Sequence, residues 1–452
     1  MDHDDEEVAS PEEDIRPSWS DSARPVPRLV LRPLQVFLRT EQAGGILLLA
    51  AAVAALVWAN SPWRASYDSF WHTQLTIGIG TWSLAEDLQH WVNDALMALF
   101  FLVVGLEIKR ELLTGELREP RVAALPAIAA LGGMVVPALL YLAINPGGEE
   151  ARGWGIPMAT DIAFALGVLA LVGGRLPAAL KSFLLALAIV DDIGAILVIA
   201  IFYSGSIEVL ALLAAVGLLA LILVLQRLHV RWTVVYVLLG VGVWLATFQS
   251  GVHATIAGVA LGLATPAVPF QRPRAVSLEA HRIADDTVDD PTPPDADAHQ
   301  WLHLADLTRE AVSPLARAEH LLHPWTSYVI VPLFALANAG VSISGSTLGE
   351  ALSSGVTLGV VVGLVVGKTV GVTAFTWAAT RTGITRLPDD VRWRHLVGVA
   401  ALAGIGFTVS LFVASLAFER PELQDAAKVG ILAASLLAGL LGALLLFRSQ
   451  RK

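Results

Sequence analysis

Apolar stretches long enough to cross a bilayer recur along almost the whole chain, separated by short polar connectors. A helix rises 1.5 Å per residue, so it needs on the order of 20 mostly apolar residues to span the hydrocarbon layer. Stretches of that kind centre on residues 44–60, 92–108, 121–144, 154–174, 182–203, 207–226, 232–249, 252–268, 322–343, 355–377, 396–418 and 425–447. The pattern predicts an all-α, polytopic membrane protein of about twelve transmembrane helices. Two segments outside these runs have a character of their own. In QLTIGIGTWSL, residues 74–84, Leu75, Ile77 and Ile79 alternate up to Gly80-Thr81, and Trp82 and Leu84 follow. This reads equally well as a short external β-hairpin or as an irregular loop. Residues 268–312, with PTPPDADAH inside them, read as a disordered, flexible cytoplasmic linker. The chain thus divides into a disordered acidic tail (1–36), spans 1–8 (37–267), the linker (268–312), spans 9–12 (313–447) and a cytoplasmic end (448–452).

Charge orients these spans. With the N-terminus in the cytoplasm, the cytoplasmic segments hold Arg24, Arg28, Arg32 and Arg39, then Lys109, Arg110, Arg118 and Arg121, then Arg175 and Lys181. Further along they hold Arg227 and Arg231, then Arg381, Arg386, Arg392 and Arg394, and finally Arg448, Arg451 and Lys452. The external loops hold only Arg64, Arg152 and Arg420, so the positive-inside bias places both termini in the cytoplasm. Composition agrees: the chain of 452 residues is 55% hydrophobic and 15% charged, against roughly 25% charge in a soluble domain. It contains no cysteine, which excludes disulfides and thiol chemistry. The net charge of −10 sits mainly in the first tail and in residues 285–297, which read as solvated segments, and nothing points to nucleic-acid binding. No cleavable signal peptide is evident.

Against that background four ionisable residues are out of place, because a charge at mid-bilayer costs roughly 2.5–3.5 kcal/mol on insertion scales. Asp191 and Asp192 lie side by side in LALAIVDDIGAILVIAIF, the fifth span. Helical neighbours point about 100° apart, so they line a broad wedge of the interior rather than facing one another. Two close carboxylates repel and burial opposes charge, so at least one is expected to carry a proton near neutral pH. Such a group can exchange its proton for a small hard cation, which favours oxygen ligands. Asp161 sits in GIPMATDIAFALGVL, where Pro157 and then Thr160-Asp161 resemble a helix stop and an N-cap inside an apolar run. The eleventh span, GIGFTVSLFVASLAF, is interrupted by Gly404 and Gly406 with Thr408 following. Spans 3–5 and 10–12 are then two triplets of opposite orientation, each with a broken middle member, the pattern of inverted repeats enclosing a site. Lys368, in VVGLVVGKTVGVTAF, lies too deep to snorkel and is expected to pair with an aspartate or to balance helix ends.

Other clusters are less specific. Glu107, Lys109, Arg110 and Glu111 in GLEIKREL fit a solvated helix end as well as a functional one. Glu319, His320 and His323 in AEHLLHPW lack a third convincing ligand for a metal and fit a pH-responsive surface better. His253, in SGVHATIAG, fits a structural histidine equally well.

Taken together these stretches resemble one family, the bacterial NhaA-type sodium/proton antiporters. The resemblance is carried by WVNDALMALFFLVVGLEIKREL, PMATDIAFALGVLALVG, FLLALAIVDDIGAILVIAIFY, SGVHATIAG, AEHLLHPW with PLFALANAGVSI, VVGKTVG and GIGFTVSLFVASLAF, in family order from about residue 37 to 447. It implies twelve helices in an inverted-repeat fold, with discontinuous helices 4 and 11 crossing at mid-membrane. It implies that Asp192 is the principal cation carboxylate and Asp191 its partner in ion and proton binding. Thr160 and Asp161, at the break of span 4, and Lys368, which would balance helix ends and pair with Asp191, complete the cation- and proton-binding set. Asp94 matches an acidic residue of span 2. Glu107, Arg110, Glu111, Glu319, His320 and His323 match a cytoplasmic entrance used in pH activation, and the external hairpin matches a dimer contact. The acidic N-terminal tail, the insertion before residue 313 and the short segment after span 12 depart from the family pattern, and the insertion bears on the pH profile.

The activity so implied is electrogenic, pH-regulated export of Na+ or Li+ in exchange for H+, in the service of pH homeostasis. The setting is a multi-pass protein of the bacterial inner membrane, a homodimer with no resident cofactor and not an enzyme. The alternatives fit less well. An intramembrane aspartyl protease needs two facing carboxylates, normally from separate helices. An organic-anion transporter should offer arginine deep in its spans, and none is seen there. A channel would not need coupled exchange.

Overall fold

The computed structural model describes residues 43–80, 82–172, 176–289, 294–342, 349 and 353–450. The N-terminal tail 1–36 and the last two residues lie outside the described residues. After α1 (Ala43–Ala59) and the short α2 (Arg64–Trp71) come strands β1 (Gln74–Ile79) and β2 (Trp82–Asp87). The helices that follow are α3 (Leu88–Leu113), α4 (Pro120–Ile144), a 3-10 segment (Glu150–Met158), α5 (Ile162–Val172), α6 (Ala178–Phe202), α7 (Val209–Arg227), α8 (Thr233–Gln249) and α9 (Thr255–Ala264). Then come α10 (Pro273–Asp289), α11 (Pro294–Glu310), α12 (Pro314–Trp325), α13 (Val331–Asn338), α14 (Gly355–Arg381), α15 (Trp393–Leu402), α16 (Phe407–Ala417) and α17 (Pro421–Gln450). Among the described residues, six helices are each long and apolar enough to span a bilayer, namely α3, α4, α6, α7, α14 and α17. Three further pairs qualify only when taken together, and each is bent at a short break: α1 with α2 by 116°, the 3-10 segment with α5 by 45°, and α15 with α16 by 46°.

What these helices show the outside is as informative as what they bury. On α7, Leu210 is 77% exposed, and Leu213 and Val216 are exposed with it. On α8, Val234, Val237 and Leu238 are exposed. Contiguous apolar faces of this size belong against hydrocarbon. The interior is filled with small residues and a few rings, Phe412 lying with its centroid 5.5 Å from Phe101 and 6.2 Å from Phe334. Without a hydrophobic drive between helices in lipid, close backbone approach supplies the packing. α4 and α14 meet in this way: a Cβ placed on Gly371 would fall 2.1 Å from the carbonyl oxygen of Gly132.

Among the described residues there are three π turns: Val92–Leu96 in α3, Thr326–Ile330 between α12 and α13, and Val362–Gly367 in α14. The last ends directly before Lys368 and so resets the direction in which that side chain leaves the helix.

Residues 74–87 form a hairpin, with Ile79 paired to Trp82 across a tight turn and Gly80 at φ +64°. A positive φ costs glycine nothing, which is why Gly80 leads the turn. Its pairing extends to Gln74 with Asp87, beyond the alternating stretch read from sequence. The reading of 268–312 as a disordered linker needs correction. Within it α10 and α11 are helices, each opening on a proline, and α10 buries Val276 and Ile283. Those two are seven residues apart and so share a face, a short apolar seam hidden by the acidic composition around it. The end of the insertion is fastened: Glu310 pairs with Arg231 at 2.5 Å and accepts from Gln271 Nε2 at 3.2 Å, while its carbonyl accepts from Gln271 N at 3.1 Å. Residues 290–293 lie outside the described residues.

The Gly132–Gly371 approach predicts that Gly371→Ala overpacks the α4–α14 interface. The expected cost is about 1–3 kcal/mol, read as a lower melting temperature of the purified protein. Ala374→Ser, on the exposed side of the same helix, should leave it unchanged.

Candidate ion site at the crossing of two helix breaks

The two breaks meet. Between Met158 and Ile162 the chain is extended, and between Leu402 and Phe407 it leaves the α-helix in a tight turn, so several backbone groups on each side lack α-helical partners. In an apolar interior each such group must find one elsewhere. Here they find one another. Asp161 N donates to the carbonyl of Ile405 at 2.6 Å, and Thr160 Oγ1 lies 2.8 Å from the carbonyl of Ala403. Ser410 Oγ donates to the carbonyl of Ile156 at 2.8 Å, and Ser435 Oγ, from α17, accepts from Phe407 N at 3.2 Å.

Asp161 ties the crossing together, because its carboxylate serves two helix starts. Oδ1 accepts from Phe164 N at 2.9 Å, capping α5. Oδ2 accepts from Thr408 N at 3.2 Å and from Thr408 Oγ1 at 2.6 Å, at the start of α16. Two positive helix ends therefore converge on one buried carboxylate.

The remaining members come from the unbroken helices beside the crossing. Lys368 Nζ, fully buried, lies 2.5 Å from Asp191 Oδ2 and 2.9 Å from Thr160 Oγ1. Thr160 Oγ1 is also 2.7 Å from Asp191 Oδ2. That hydroxyl has a single proton, so it serves Asp191 or Ala403 but not both fully. The second oxygen of Asp191, Oδ1, is buried without a hydrogen-bond partner, and so is Oδ1 of Asp192. Asp192 is 5% exposed and makes no ion pair among the described residues. The two aspartates are thus unlike: one is engaged by an ammonium, the other is a buried carboxyl with an open acceptor. Asp191, Asp192 and Thr160 each carry oxygen atoms of the kind a small hard cation prefers. Among the described residues no cluster of three or more His, Asp or Glu side chains has the geometry of a resident metal site.

The other residues singled out from sequence fall elsewhere. At one end of α3, Arg110 pairs with Glu319 and lies 3.6 Å from Glu111, whose Oε2 accepts from Glu116 N at 3.0 Å. Lys109 Nζ caps the end of α9 through the carbonyls of Leu263 and Thr265 at 2.8 and 2.6 Å. Glu107 is half-buried nearby, whereas His320 and His323 are exposed on α12 and join no ion pair among the described residues. His253 Nε2 lies 2.6 Å from the carbonyl of Tyr203, fastening the start of α9 to the end of α6. Asp94 occupies the π turn of α3, whose loosened carbonyl ladder leaves the Asp94 oxygen to accept from Trp244 Nε1 at 3.1 Å.

Sequence reasoning overlooked an amide network at the far end of α3. Asn338 Nδ2 donates to Asn93 Oδ1 at 2.8 Å, and Gln89 Nε2 donates to Asn338 Oδ1 at 3.1 Å. An asparagine inside an apolar run, as in PLFALANAG, is the feature that could have revealed it.

Asp161→Ala should remove both caps and cost about 2–4 kcal/mol, at about 1–2 per cap. Asp161→Asn, with one acceptor oxygen instead of two, should lose about half as much. Thermal melting of the three proteins in one detergent measures the order.

A family model described as "Na+/H+ antiporter 1" matches residues 35–446. Among similar proteins, the Na(+)/H(+) antiporter NhaA 2 of Sorangium cellulosum is 50% identical over 423 residues, covering 92% of this chain and 90% of its own. The Na(+)/H(+) antiporter NhaA of Oleidesulfovibrio alaskensis is 47% identical over 429 residues, covering 94% and 95%. That of Syntrophobacter fumaroxidans is 49% identical over 422 residues, covering 91% and 89%. These relatives are named as transporters rather than enzymes. With its crossed breaks, its buried carboxylates and its lipid-facing helices, the chain belongs to the NhaA family of Na+/H+ antiporters and is a multi-pass membrane protein.

Proposed function

We propose that the protein exports Na+, and Li+, across the bacterial inner membrane in exchange for external H+, with Asp191 and Asp192 as the exchanging carboxylates. The observation that carries this reading is the pair of buried, unpartnered Oδ1 atoms beside the Lys368–Asp191 ion pair. A proton or a sodium ion would complete them, and the two cannot share the same lone pairs. Binding one ion therefore expels the other. Asp192, which has no ion pair to break, is the first carboxylate to exchange. Asp191 can join only when Lys368 lets go of it, and the ammonium can then lose a proton. Two protons released for one sodium ion make the cycle electrogenic. Thr160 contributes its oxygen to the cation and its proton to Ala403. Asp161, grouped with the binding residues on sequence grounds, engages both oxygens at the two helix starts and is assigned here to holding the broken helices in register.

The architecture that goes with this function is twelve spans with both termini cytoplasmic, the fourth and eleventh broken and crossing, and alternating access around them. Glu107, Arg110, Glu111 and Glu319 would form a cytoplasmic entrance that responds to pH, with His320 and His323 as lesser contributors, while His253 would respond to pH at the opposite end of α9. The hairpin would join two protomers. Its support is one exposed apolar face, on which Leu75 and Ile77 lie in the same register as Leu84.

Everted vesicles holding a proton gradient test the exchange. Sodium or lithium should dissipate the gradient, and failure across the neutral-to-alkaline range would sink the proposal. Asp192→Asn should abolish exchange while the protein stays folded; wild-type rates would remove Asp192 from the site. Competition also fixes a sign. Below the pH at which the carboxyls release their protons, the apparent KM for sodium should rise as pH falls, by about tenfold per pH unit for each proton displaced. A KM independent of pH would show that the two ions bind apart.

A further inference from the structure

We propose that the groove between α14 and α15 binds an anionic phospholipid. The groove encloses about 450 Å³ and is walled by Thr373, Ala374 and Trp377 of α14 and by Trp393 and Val397 of α15. Trp377 and Trp393 are 57% and 41% exposed, so two indole rings flank its mouth. Tryptophan is the side chain most at home where acyl chains meet headgroups.

Three observations say that the occupant has a polar, negatively charged head. The loop joining these helices carries Arg381, Arg386, Arg392 and Arg394 against Asp389 and Asp390, an excess of two positive charges (four minus two). None of the four arginines forms an ion pair among the described residues. Arg381 lies one helical turn beyond Trp377, and Arg394 directly follows Trp393, so the positive charge stands at the tryptophan-lined end of the groove. In addition, Thr373 Oγ1 on the groove wall is buried without a hydrogen-bond partner, and so are Thr385 Oγ1 in the joining loop and Arg394 Nε beside Trp393. Buried polar groups are normally paired, so an unpaired hydroxyl on a groove wall marks a place where a ligand can supply the partner.

Thr373 makes the point sharply. Its neighbours on α14, Thr369 and Thr376, turn their hydroxyls back onto the helix, to the carbonyls of Val365 and Val372 at 2.6 and 2.7 Å. Thr373 does not, and its hydroxyl, on a residue of the groove wall, has no partner within the protein. A phospholipid matches all of these features at once. Its acyl chain fills the apolar walls, an ester oxygen accepts from Thr373, and its phosphate meets guanidinium groups suited to paired hydrogen bonds. Basic pockets between membrane helices are a recognised way of holding such headgroups. The inference requires only that the chain spans a membrane and does not depend on which ions are transported.

Delipidated full-length protein, titrated with phosphatidylglycerol or with phosphatidylcholine of identical chains and read by native mass spectrometry, tests it. The wild type should prefer phosphatidylglycerol. Arg381→Gln and Arg394→Gln should each weaken that preference about fivefold without changing the binding of phosphatidylcholine. Ala374→Trp, which fills the groove, should abolish the specific site for both lipids. Equal binding of the two lipids by the wild type would overturn the proposal, as would an unchanged preference in the double arginine variant. Each variant should keep the wild-type melting profile. Should Arg394→Gln fail to fold, the Arg381→Gln and Ala374→Trp variants decide between the same two outcomes.

Discussion

Everything at the centre of this molecule depends on one constraint: a helix broken inside a bilayer leaves backbone groups that water cannot reach. Each break alone would be prohibitive, with several donors and acceptors unsatisfied at a few kcal/mol apiece. Brought together, the two breaks complete one another. Asp161 N reaches Ile405, Thr160 reaches Ala403, and the Asp161 carboxylate closes the starts of α5 and α16 at once. The crossing is therefore a mutual arrangement, and neither break has a stable form without the other. The close approach of α4 and α14 at Gly132 and Gly371 has the same root, since only small residues let the flanking helices come near enough to seal it.

Once the backbone is satisfied, charge decides the rest. Lys368 and Asp191 are wholly buried and at contact distance, and removing one partner from such a pair costs about 3–5 kcal/mol, because the other is left uncompensated. A buried pair is also poor at adding net stability, so its presence calls for another explanation than holding the fold together. On the proposed function that explanation is a stored proton equivalent: the ion pair keeps Asp191 out of the exchange until the lysine leaves. Asp192, with its open oxygen, has no such restraint. Two adjacent residues of one helix thus acquire different chemistry from the elements facing them.

Much of this is legible in the sequence, and the reasons differ by feature. Pro157 with Thr160-Asp161, and Gly404 with Gly406, betray the breaks because helix-stopping residues inside apolar runs have few other uses. Asp191, Asp192 and Lys368 stand out because charge is so rare in the spans. The hairpin cannot be told from a loop, since strands so short carry little periodicity. The insertion reads as disordered for a related reason: its seam is only Val276 and Ile283 on α10, diluted by aspartates, and composition outweighs so faint a pattern. The π turns before Lys368 and around Asp94 have no sequence marker, because they arise from packing rather than from propensity.

The π turn before Lys368 shows how geometry that sequence conceals can govern chemistry that sequence reveals. In an unbroken α-helix each residue turns about 100° from the last, and the direction of Lys368 would follow from the glycines at 363, 367 and 371 that face α4. Those glycines must face α4, for Gly367 lies against Pro137 much as Gly371 lies against Gly132. One widened turn over Val362–Gly367 adjusts the phase of the helix within that contact. The lysine then points at Thr160 and Asp191 while the glycines keep their seam. A widened turn inside an α-helix is also a frequent mark of a functional site. If Lys368 must leave Asp191 during each cycle, that mark stands in the turn directly before it.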